Sequence, residues 1–344
     1  MTNLFDKALI CTDIHFGKRQ NDRQHNQDCD DFLSWVVKVG KERNVDTFIF
    51  CGDWHDTRHS IHVGTMNYTV ENFEKLSQNF KNVYIIEGNH DLFYREKREW
   101  SSLVMGKYLS NVKLIDDFLT VGNVTFLPWL NGEDFKLVNT FNSKYIFGHL
   151  ELPSFLMNAM VEMPDHGKEN VEMFHKNVEY VFSGHFHKRQ LRKNKNGTLV
   201  YYIGNCFPLD FGDAGDDERG AMFLEWDKEP EFLKWDKAPK YRVFNMSQII
   251  DDPFNYIDDI TYCKVKLDIP LSHEQIEFLK DTITFHTNAR KLHMLPINAL
   301  HEDVTFDDSI GFHSVDQVVV DSLSGLDSNV VDKELLIAIY NELN

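Results

Sequence analysis

Five short polar motifs follow apolar runs in this chain, and their residue types could bind metal ions. The motifs are DIH at 13–15, GDWHD at 52–56, GNHD at 88–91, GH at 148–149 and GHFH at 184–187. They offer carboxylate, amide and imidazole groups, which suit Mn²⁺, Fe²⁺ or Zn²⁺, and they offer no thiolate. A carboxylate shared by two ions, most naturally that of Asp53, would hold them about 3.5–4 Å apart for phosphate-ester hydrolysis. His90 could then act on the phosphate or as a general acid to the leaving group.

Each motif alone has an ordinary structural interpretation. A lone DxH triplet is commonly a surface coincidence, and the Asn-His pair of GNHD can form a simple turn. His149 alone would be a structural histidine, and GHFH a strand in which histidines alternate with an apolar residue. All five motifs in this order, each at the end of a strand-like run, favour one shared metal site.

Eight apolar runs in the first 226 residues predict the strands that carry these motifs. They cover 7–13, 46–53, 82–89, 123–129, 144–149, 179–185, 199–205 and 221–226. Strand and helix patterns alternate at the start, which predicts an α/β domain with parallel pairing there. Fewer helices separate the later runs, so a mixed sheet or sandwich is expected. The carboxyl ends of such strands border one crevice, where the five motifs would meet.

Two helices are predicted between the early strands from their apolar spacing. The first has its apolar face at Phe32, Leu33, Val36, Val37 and Gly40, and the second at Met66, Val70, Phe73, Leu76 and Phe80. The charged stretch after 227 indicates a linker or strand edge. A strand, helix and strand follow as a second unit, with Ser272 suited to the start of its helix. Two more helical patterns lie in 301–344, the last with an apolar face of Leu335, Leu336, Ile339 and Tyr340.

Composition narrows the class of protein. The 344 residues carry a net charge of −18, which taken alone argues against a protein that grips nucleic acid. The charge is uneven, because residues 301–344 hold ten acidic residues and one lysine. The five cysteines form no CxxC pair and indicate reduced thiols in the cytoplasm. No long apolar run predicts a membrane span, and the N-terminus has no secretory signal pattern.

The ordered motifs closely resemble the calcineurin-like metallophosphoesterase superfamily over about residues 8–226. The resemblance implies a two-sheet β core flanked by helices, with two metal ions, expected to be Mn²⁺ with Mg²⁺ as an alternative. It implies a first ion on Asp13, His15, Asp53 and His187, and a second on Asp53, Asn89, His149 and His185. His90 would contact the phosphate as the catalytic residue. Asp91 would orient His90, or alternatively would cap a helix, while Asp56 has no settled role and His55 would be an exposed loop residue.

A narrower resemblance is to the SbcD-type nuclease subunits of SbcCD-like DNA repair and recombination complexes, including bacteriophage recombination endonuclease subunits. It rests on GHLELPSF at 148–155 and on the segment 201–226. In that segment the matching residues are Gly204, Phe211, Gly212, Asp213, Asp217, Glu218, Arg219 and Gly220, whereas Asn205 replaces the usual serine. The chain also departs from the protein phosphatases, which carry GDxxDRG and GNHE. The resemblance implies a DNA exonuclease and endonuclease with 3′–5′ polarity.

The same resemblance implies how the chain is divided and what it binds. Residues 1–226 would be the nuclease domain, 227–300 a small α/β capping domain, and 301–344 a linker and helices that bind an SMC-like ATPase subunit. A homodimer through the nuclease domain is expected, with DNA as the substrate and no membrane contact. The alternative for the tail is a helix docked on its own domain.

Basic residues follow the metal-binding motifs and would ring the site with positive charge inside an acidic protein. The residues predicted to contact DNA are Arg19, Arg58, Arg95, Lys188, Arg189 and Arg192. The alternatives are a solvated hairpin tip for 188–196 and a helix start for 95–98. Two other functions remain open: a metallophosphoesterase acting on a small nucleotide or cyclic dinucleotide, and a non-catalytic scaffold, against which the intact ligand set argues.

Overall fold

Two six-stranded sheets form the centre of the protein, in a computed structural model that describes residues 3–157, 162–163 and 170–296. The strands are β1 (Lys7–Cys11), β2 (Thr47–Phe50), β3 (Asn82–Ile86), β4 (Leu92–Tyr94), β5 (Lys97–Ser101), β6 (Val112–Ile115), β7 (Leu119–Val121), β8 (Val124–Leu127), β9 (Tyr145–His149), β10 (Tyr180–Gly184), β11 (Gln190–Lys193), β12 (Leu199–Tyr202), β13 (Gly220–Glu225), β14 (Glu231–Lys234), β15 (Lys240–Asn245), β16 (Thr261–Leu267) and β17 (Lys291–Pro296). All eight predicted strands are confirmed. The helices are α1 (Lys18–Asn21), α2 (Arg23–Arg43), α3 (Val63–Asn79), α4 (Phe135–Val138), α5 (Met246–Ile249) and α6 (His273–Thr287).

Both large sheets are mixed. The first has the order β14-β13-β1-β2-β3-β6, and its four strands from β1 to β6 run parallel. The second has the order β11-β12-β10-β9-β8-β7, with parallel pairing from β12 to β8. Parallel strands need long crossovers, which α2 and α3 supply between β1, β2 and β3. The predicted parallel start and the mixed two-sheet architecture are therefore confirmed.

The core between the sheets is built from strand residues of both. Ile10 and Ile49 of the first sheet belong to the same buried cluster as Phe126, Phe147 and Phe182 of the second. The opposite face of the first sheet packs against α2 and α3. The five motif-bearing strands are thus fixed on both sides, so their ends can hold polar side chains in place.

The buried face of α3 differs from the predicted one. Phe73 and Leu76 are buried, but Val70 is 38% exposed, and the rest of the buried face is polar, with Thr65 and Thr69 on it. Thr69 accepts a hydrogen bond from the indole of Trp54, at 3.3 Å, and therefore has a partner in the interior. Because such polar residues have hydrogen-bond partners inside the protein, the face of α3 that is buried is not the one that the apolar spacing predicts.

A three-stranded sheet follows β14 in the chain, with the order β15-β16-β17 and with α6 between its last two strands. The predicted strand, helix and strand are confirmed. Ser272 caps α6, because its side chain accepts from the Gln275 main chain while the Gln275 side chain accepts from the Ser272 main chain. This sheet falls within the same compact unit, Met1–Leu295, as the large sheets. The predicted domain boundaries stay predictions, and the helical patterns of 301–344 lie outside the described residues.

Two further features bear on predictions from composition. All five cysteines are buried and unpaired, in agreement with the prediction of free thiols. Within the described ranges, no helix has the length and apolar character that a membrane crossing requires.

Candidate metal centre

The five motifs meet at the carboxyl ends of β1, β2 and β3 in the first sheet and of β9 and β10 in the second. The backbone is unusual there, since Asp13, His15, Asp53 and His185 all have positive φ, between 52° and 92°. Such conformations cost free energy in residues with a side chain, and they occur where surrounding structure enforces them. Here they turn the side chains of four predicted ligands off the strand direction.

One group of side chains consists of Asp13, His15 and His187, whose ligand atoms lie within 4.8 Å of one another. Thr12 donates a hydrogen bond of 2.6 Å to the Asp13 carboxylate, and the main chain of His185 donates to it at 3.1 Å. Both ring nitrogens of the buried His15 lack a hydrogen-bond partner. The Nε2 atom of His15 is 3.9 Å from carboxylate oxygens of Asp13 and Asp53.

A second group joins Asp53, His149 and His185 on the same 4.8 Å criterion. The amide oxygen of Asn89 lies 3.1 Å from Nε2 of His149 and 3.1 Å from Nδ1 of His185. The Asp53 oxygen that faces His15 is also 3.3 Å from Nε2 of His149. Asp53 therefore lies between the two groups, as predicted for a bridging carboxylate.

The hydrogen bonds of His149 and His185 test whether this second group fits a cation. His149 donates from Nδ1 to the carbonyl of Cys51 at 2.7 Å, and His185 can donate from Nε2 to Glu151 at 3.4 Å. Each ring then presents the lone pair of its other nitrogen to the oxygen of Asn89. Lone pairs converging with a buried carboxylate repel one another unless a cation lies among them. The donor set therefore fits a metal ion.

The electrostatics of the site point the same way. Burial opposes charge on His149, yet the neighbouring Asp53 raises the pKa of His149 to about 9. Without an ion, Asp53 thus favours a proton on Nε2 of His149, and a divalent ion would replace that proton with its own positive charge. For His15, burial opposes charge most strongly, but the carboxylates of Asp56, 3.4 Å from Nδ1, and Asp53 together raise the pKa of His15.

His90 stands beside the first group, with its ring centroid 5.1 Å from that of His15. Its Nδ1 donates to the main-chain carbonyl of Asp56 at 2.6 Å, which leaves Nε2 as the free nitrogen. Burial lowers the pKa of His90, although Asp53 opposes the change. Asp56 thus acts twice: its carbonyl holds His90, and its carboxylate lies behind His15.

The structure gives Asp91 a different role from the predicted one. Its buried carboxylate accepts four main-chain hydrogen bonds of 2.9–3.0 Å, from Asp53, Trp54, His55 and Gly88. The ring of His90 is held by Asp56 instead. Asp91 therefore ties the GDWHD loop to the GNHD turn and fixes the backbone of two ligand-bearing segments. It does not begin a helix, since β4 follows it.

His55 was predicted to be an exposed loop residue, and this prediction is wrong. The side chain is 1% exposed, and its ring contacts Ser102 at 2.8 Å through Nδ1 and Thr69 at 2.9 Å through Nε2. Burial lowers the pKa of His55 to about 3. The residue is a neutral structural histidine that joins the GDWHD loop to α3.

Arg19, one of the predicted DNA contacts, is directed toward the three-stranded sheet. Its guanidinium donates to the hydroxyl of Tyr241 and lies 4.7 Å from the ring centroid of Tyr262. Its Nε also lies 3.3 Å from the carboxylate of Asp22. These contacts tie the loop after the first motif to β15 and β16, so Arg19 has a structural role here.

Arg189 and Arg192 also have partners within the chain. Arg189 donates to the carbonyl of Ile203 at 3.2 Å and lies 4.0 Å from the ring centroid of Phe232. Arg192 donates to the carbonyl of Ser154 at 2.9 Å. The segment 188–196 contains β11 and leads into β12, which pairs with β11 in an antiparallel hairpin, as the alternative for this segment expected.

Three basic residues remain beside the metal-binding motifs. Arg58 is partly buried, and burial, with Arg95 nearby, lowers the pKa of Arg58. Lys188 follows the predicted ligand His187 directly and is half-buried. The side chain of Arg95 is 44% exposed and pairs with Glu151 at 3.3 Å. Its segment is not a helix start, because β4 and β5 form a hairpin there.

Sequence reasoning missed two residues that support the second ligand group. Glu151 accepts from His185, and the indole of Trp129 packs beside both histidines at a tilt, with ring centroids 5.1 Å from His185 and 6.0 Å from His149. The position of Glu151, two residues after His149, was the available signal. No local pattern marks Trp129.

The segment 201–226 supports the other ligand group, because one of its side chains holds the main chain of His187. The guanidinium of Arg219, 1% exposed, donates to the carbonyl of His187 and also pairs with Asp216 at 2.7 Å. Asn205, which departs from the expected serine, donates to the Asp213 carboxylate at 2.8 Å. This segment therefore positions the last ligand.

Three comparisons with known proteins complete the description. Residues 7–189 match the family model of the calcineurin-like phosphoesterases. The chain is 30% identical over 227 residues to exonuclease subunit 1 of Enterobacteria phage T4, covering 63% of this chain and 64% of that protein. It is 26% identical over 209 residues to the DNA double-strand break repair protein Mre11 of Methanocaldococcus jannaschii, covering 55% and 53%. A dimetal phosphatase from Danio rerio overlaps 67% of this chain and 98% of its own, with 12% identity and a TM-score of 0.45. The chain spans less than two thirds of the length of these two curated relatives.

Proposed function

The chain belongs to the calcineurin-like phosphoesterase family, and from that membership we propose that it is a metal-dependent DNA nuclease. Its reaction would be phosphodiester hydrolysis, with 3′–5′ exonuclease and endonuclease activity. The observation that carries the proposal is the convergence of Asp53, Asn89, His149 and His185 beside the group of Asp13, His15 and His187. DNA is favoured as the substrate because the relatives of 30% and 26% identity are an exonuclease subunit and a double-strand break repair protein.

Two divalent ions, expected to be Mn²⁺, would be held by these side chains. The first would take Asp13, His15, Asp53 and His187, and the second Asp53, Asn89, His149 and His185. Bound there, the ions supply Lewis-acid polarisation of the phosphodiester and a water of lowered pKa. Mg²⁺ is the alternative ion, since hard oxygen ligands are present in both groups.

The residues of the chain divide the remaining work. His90 offers Nε2 toward the site, because its Nδ1 hydrogen is donated to Asp56. In the neutral ring Nε2 carries no hydrogen. Once the ring has taken up a proton, which the neighbouring Asp53 carboxylate favours, Nε2 can donate to a phosphate oxygen or pass that proton to the leaving oxygen. Asp91 and Arg219 act at a distance, by holding the main chain of the ligand-bearing loops.

A nuclease assay tests the proposal directly. Linear duplex and single-stranded DNA are incubated with the full chain and Mn²⁺ or Mg²⁺, comparing wild type, His90→Ala and the control His273→Ala, an exposed histidine at the start of α6. His90→Ala is expected to reduce cleavage by about 10²- to 10⁴-fold. Calorimetry should show that it still binds two Mn²⁺ ions, and the control should cleave as wild type does.

Two results would overturn the proposal. Cleavage by His90→Ala at the wild-type rate would remove His90 from the mechanism. Hydrolysis of a cyclic dinucleotide by wild type, without cleavage of either DNA, would assign the small-molecule alternative.

We further propose that residues 301–344 bind an SMC-like ATPase subunit. The support is that the phage relative is a subunit of an exonuclease, and that Leu335, Leu336, Ile339 and Tyr340 have helical apolar spacing in a strongly acidic segment. Truncation after residue 310 should abolish ATPase-subunit binding in a pull-down and leave basal cleavage intact. Retained binding would refute the assignment. A homodimer through the nuclease domain is part of the same proposal, and sedimentation of the full chain tests it.

A further inference from the structure

An exposed aromatic cluster lies on the hairpin of β4 and β5, directly after the GNHD motif. Its members are Phe93, Tyr94 and Trp100, whose ring centroids are 4.8–5.6 Å apart. Trp100 is 60% exposed and Tyr94 is 37% exposed. Large aromatic side chains grouped in solvent mark surfaces that bind another molecule. None of the three contributes to the metal centre.

The hairpin is anchored beside the metal centre at both ends. At its start Asp91 is fixed by four main-chain donors, and after its end Ser102 donates its own N–H to the carbonyl of Asp91 at 2.8 Å. Ser102 also contacts the buried His55 at 2.8 Å. The aromatic cluster is therefore held at a defined position relative to His90.

A second connection runs through the middle of the hairpin. The indole of Trp129 donates to the carbonyl of Arg95 at 3.1 Å, and the same ring lies 5.1 Å from the ring of His185. The Arg95 side chain extends over Trp129, 5.6 Å from a ring centroid, and pairs with Glu151. The hairpin is therefore linked to the second ligand group through Trp129 and Glu151.

Cationic groups are interleaved with the aromatic rings. Lys97 lies 5.6 Å from the ring centroid of Tyr94, and the side chain of Arg95 is partly exposed. Arg58 is near Arg95, whose charge lowers the pKa of Arg58. The hairpin also carries Glu96 and Glu99, so its net charge is only slightly positive. Aromatic faces with neighbouring cations are the combination that binds single-stranded nucleic acid, because the bases stack and the phosphates pair.

We propose that Phe93, Tyr94 and Trp100 form a stacking platform for the unpaired bases of a DNA strand whose backbone is at the metal centre. The proposal rests on the proposed function, and it names the form of the substrate: a strand with unstacked bases, as at an end or in a single-stranded tract. The platform holds bases and leaves the reacting phosphate to the ions and His90. A paired duplex hides its base faces and would gain nothing from it.

Binding of two oligonucleotides separates stacking from charge. One is a fluorescein-labelled single strand, and the other has the same backbone length with abasic sites replacing the bases. All proteins carry His90→Ala, so that turnover does not consume the probe. The parent protein should bind the strand with bases more tightly, and Trp100→Ala should lose roughly tenfold of that preference, within the 5- to 150-fold that stacking one base contributes. Trp100→Phe should restore part of it.

Tyr108→Ala is the matched control, because Tyr108 is 89% exposed and lies outside the cluster. It should keep the full preference, and Trp100→Ala should bind the abasic strand as the parent does. Raising the salt concentration should weaken both probes while their ratio stays unchanged, since stacking is not ionic.

Three outcomes would overturn the platform. Equal binding of both probes by the parent protein would do so even if wild type cleaves DNA, and then the proposed function would stand alone. An unchanged preference in Trp100→Ala, or loss of self-association in that variant without loss of DNA binding, would assign the surface to another contact. Failure of wild type to cleave or bind any DNA would instead refute the proposed function.

Discussion

The ring of His90 and the main-chain carbonyl of Asp56 lie 2.6 Å apart, so the GDWHD loop holds the imidazole that the GNHD turn carries. The neighbouring Asp91 carboxylate is occupied by four main-chain N–H groups and is not needed to orient that ring. A side-chain substitution cannot remove the carbonyl of Asp56. Orientation of His90 should therefore tolerate most changes nearby that keep the loop folded.

Replacement of Asp91 by asparagine should lower the free energy of unfolding and should affect the rate of turnover less. The amide has one acceptor oxygen and would leave main-chain donors unsatisfied in the interior, at a cost of about 1–3 kcal/mol for each group. Urea unfolding of the metal-free chain measures the free energy of unfolding. Asp31→Asn is the control, because Asp31 is exposed and accepts only from Gln27 in the described structure. A large loss of turnover at unchanged stability would return Asp91 to the role of orienting His90.

Removal of the Glu151 carboxylate should weaken metal binding at the second ligand group. Glu151→Gln would no longer favour the form of His185 that donates from Nε2, and changes to such outer partners commonly cost about 10- to 100-fold in metal affinity. Calorimetric titration with Mn²⁺ should show one of two sites weakened. Glu133→Gln changes an exposed carboxylate that pairs with Lys136 and should leave both sites unchanged. Equal weakening of both sites would contradict the assignment.

Substitution of Arg58 should affect DNA binding, whereas substitution of Arg19 should affect the stability of the fold. Arg58→Gln is expected to weaken binding several-fold and to reduce the salt slope by about one, as loss of one phosphate contact would. Arg19→Gln should instead lower the melting temperature, since it loses the Tyr241 hydroxyl and the Tyr262 ring. Fluorescence anisotropy over a salt series and thermal melting of both variants provide the comparison. Similar salt slopes for Arg19→Gln and Arg58→Gln would refute this division.

The free energy of unfolding should fall in mild acid because His25 is buried in its neutral form. Burial and the nearby Arg19 lower the pKa of His25 to about 3, while its value in the unfolded chain is 6.5. The unfolded state therefore binds more protons between these values, and the free energy of unfolding falls as pH decreases below 6.5, by about 1.4 kcal/mol per pH unit for one proton. His25→Gln keeps a donor for the carbonyl of His15 and should reduce this slope.

Urea unfolding at pH 7 and at about pH 5, with chelator present throughout, isolates the His25 contribution as the difference between wild type and variant. Parallel pH dependence in the two proteins would show that His25 remains uncharged in both states or charged in both.

The strands and the convergence of the predicted ligands could be predicted because their signals are local. Each apolar run is followed within a few residues by its ligands, and the order of five such runs is readable in one chain. The carbonyl that holds His90, by contrast, belongs to a residue 34 positions earlier, and main-chain groups leave no mark in a sequence.

The errors share a physical cause. His55 was predicted to be exposed because it is polar, but inside the protein its ring contacts the hydroxyl of Thr69 at 2.9 Å. Arg19 was assigned to DNA because it follows the first motif. Its contact with Tyr241 could not be read from the sequence, since the two residues are 222 positions apart. Long-range pairing between polar groups decides these cases, and periodicity does not report it.

Three glycines close to the predicted ligands restrict which substitutions this site can accept. A Cβ atom on Gly52 would overlap the ring of His149, one on Gly88 the carboxylate of Asp53, and one on Gly184 the side chain of Thr12. Any side chain at these positions displaces a ligand or the residue that holds one. The metal centre can therefore be lost through a single codon change at a residue that binds nothing, and a relative that keeps every ligand but lacks one of these glycines should be inactive.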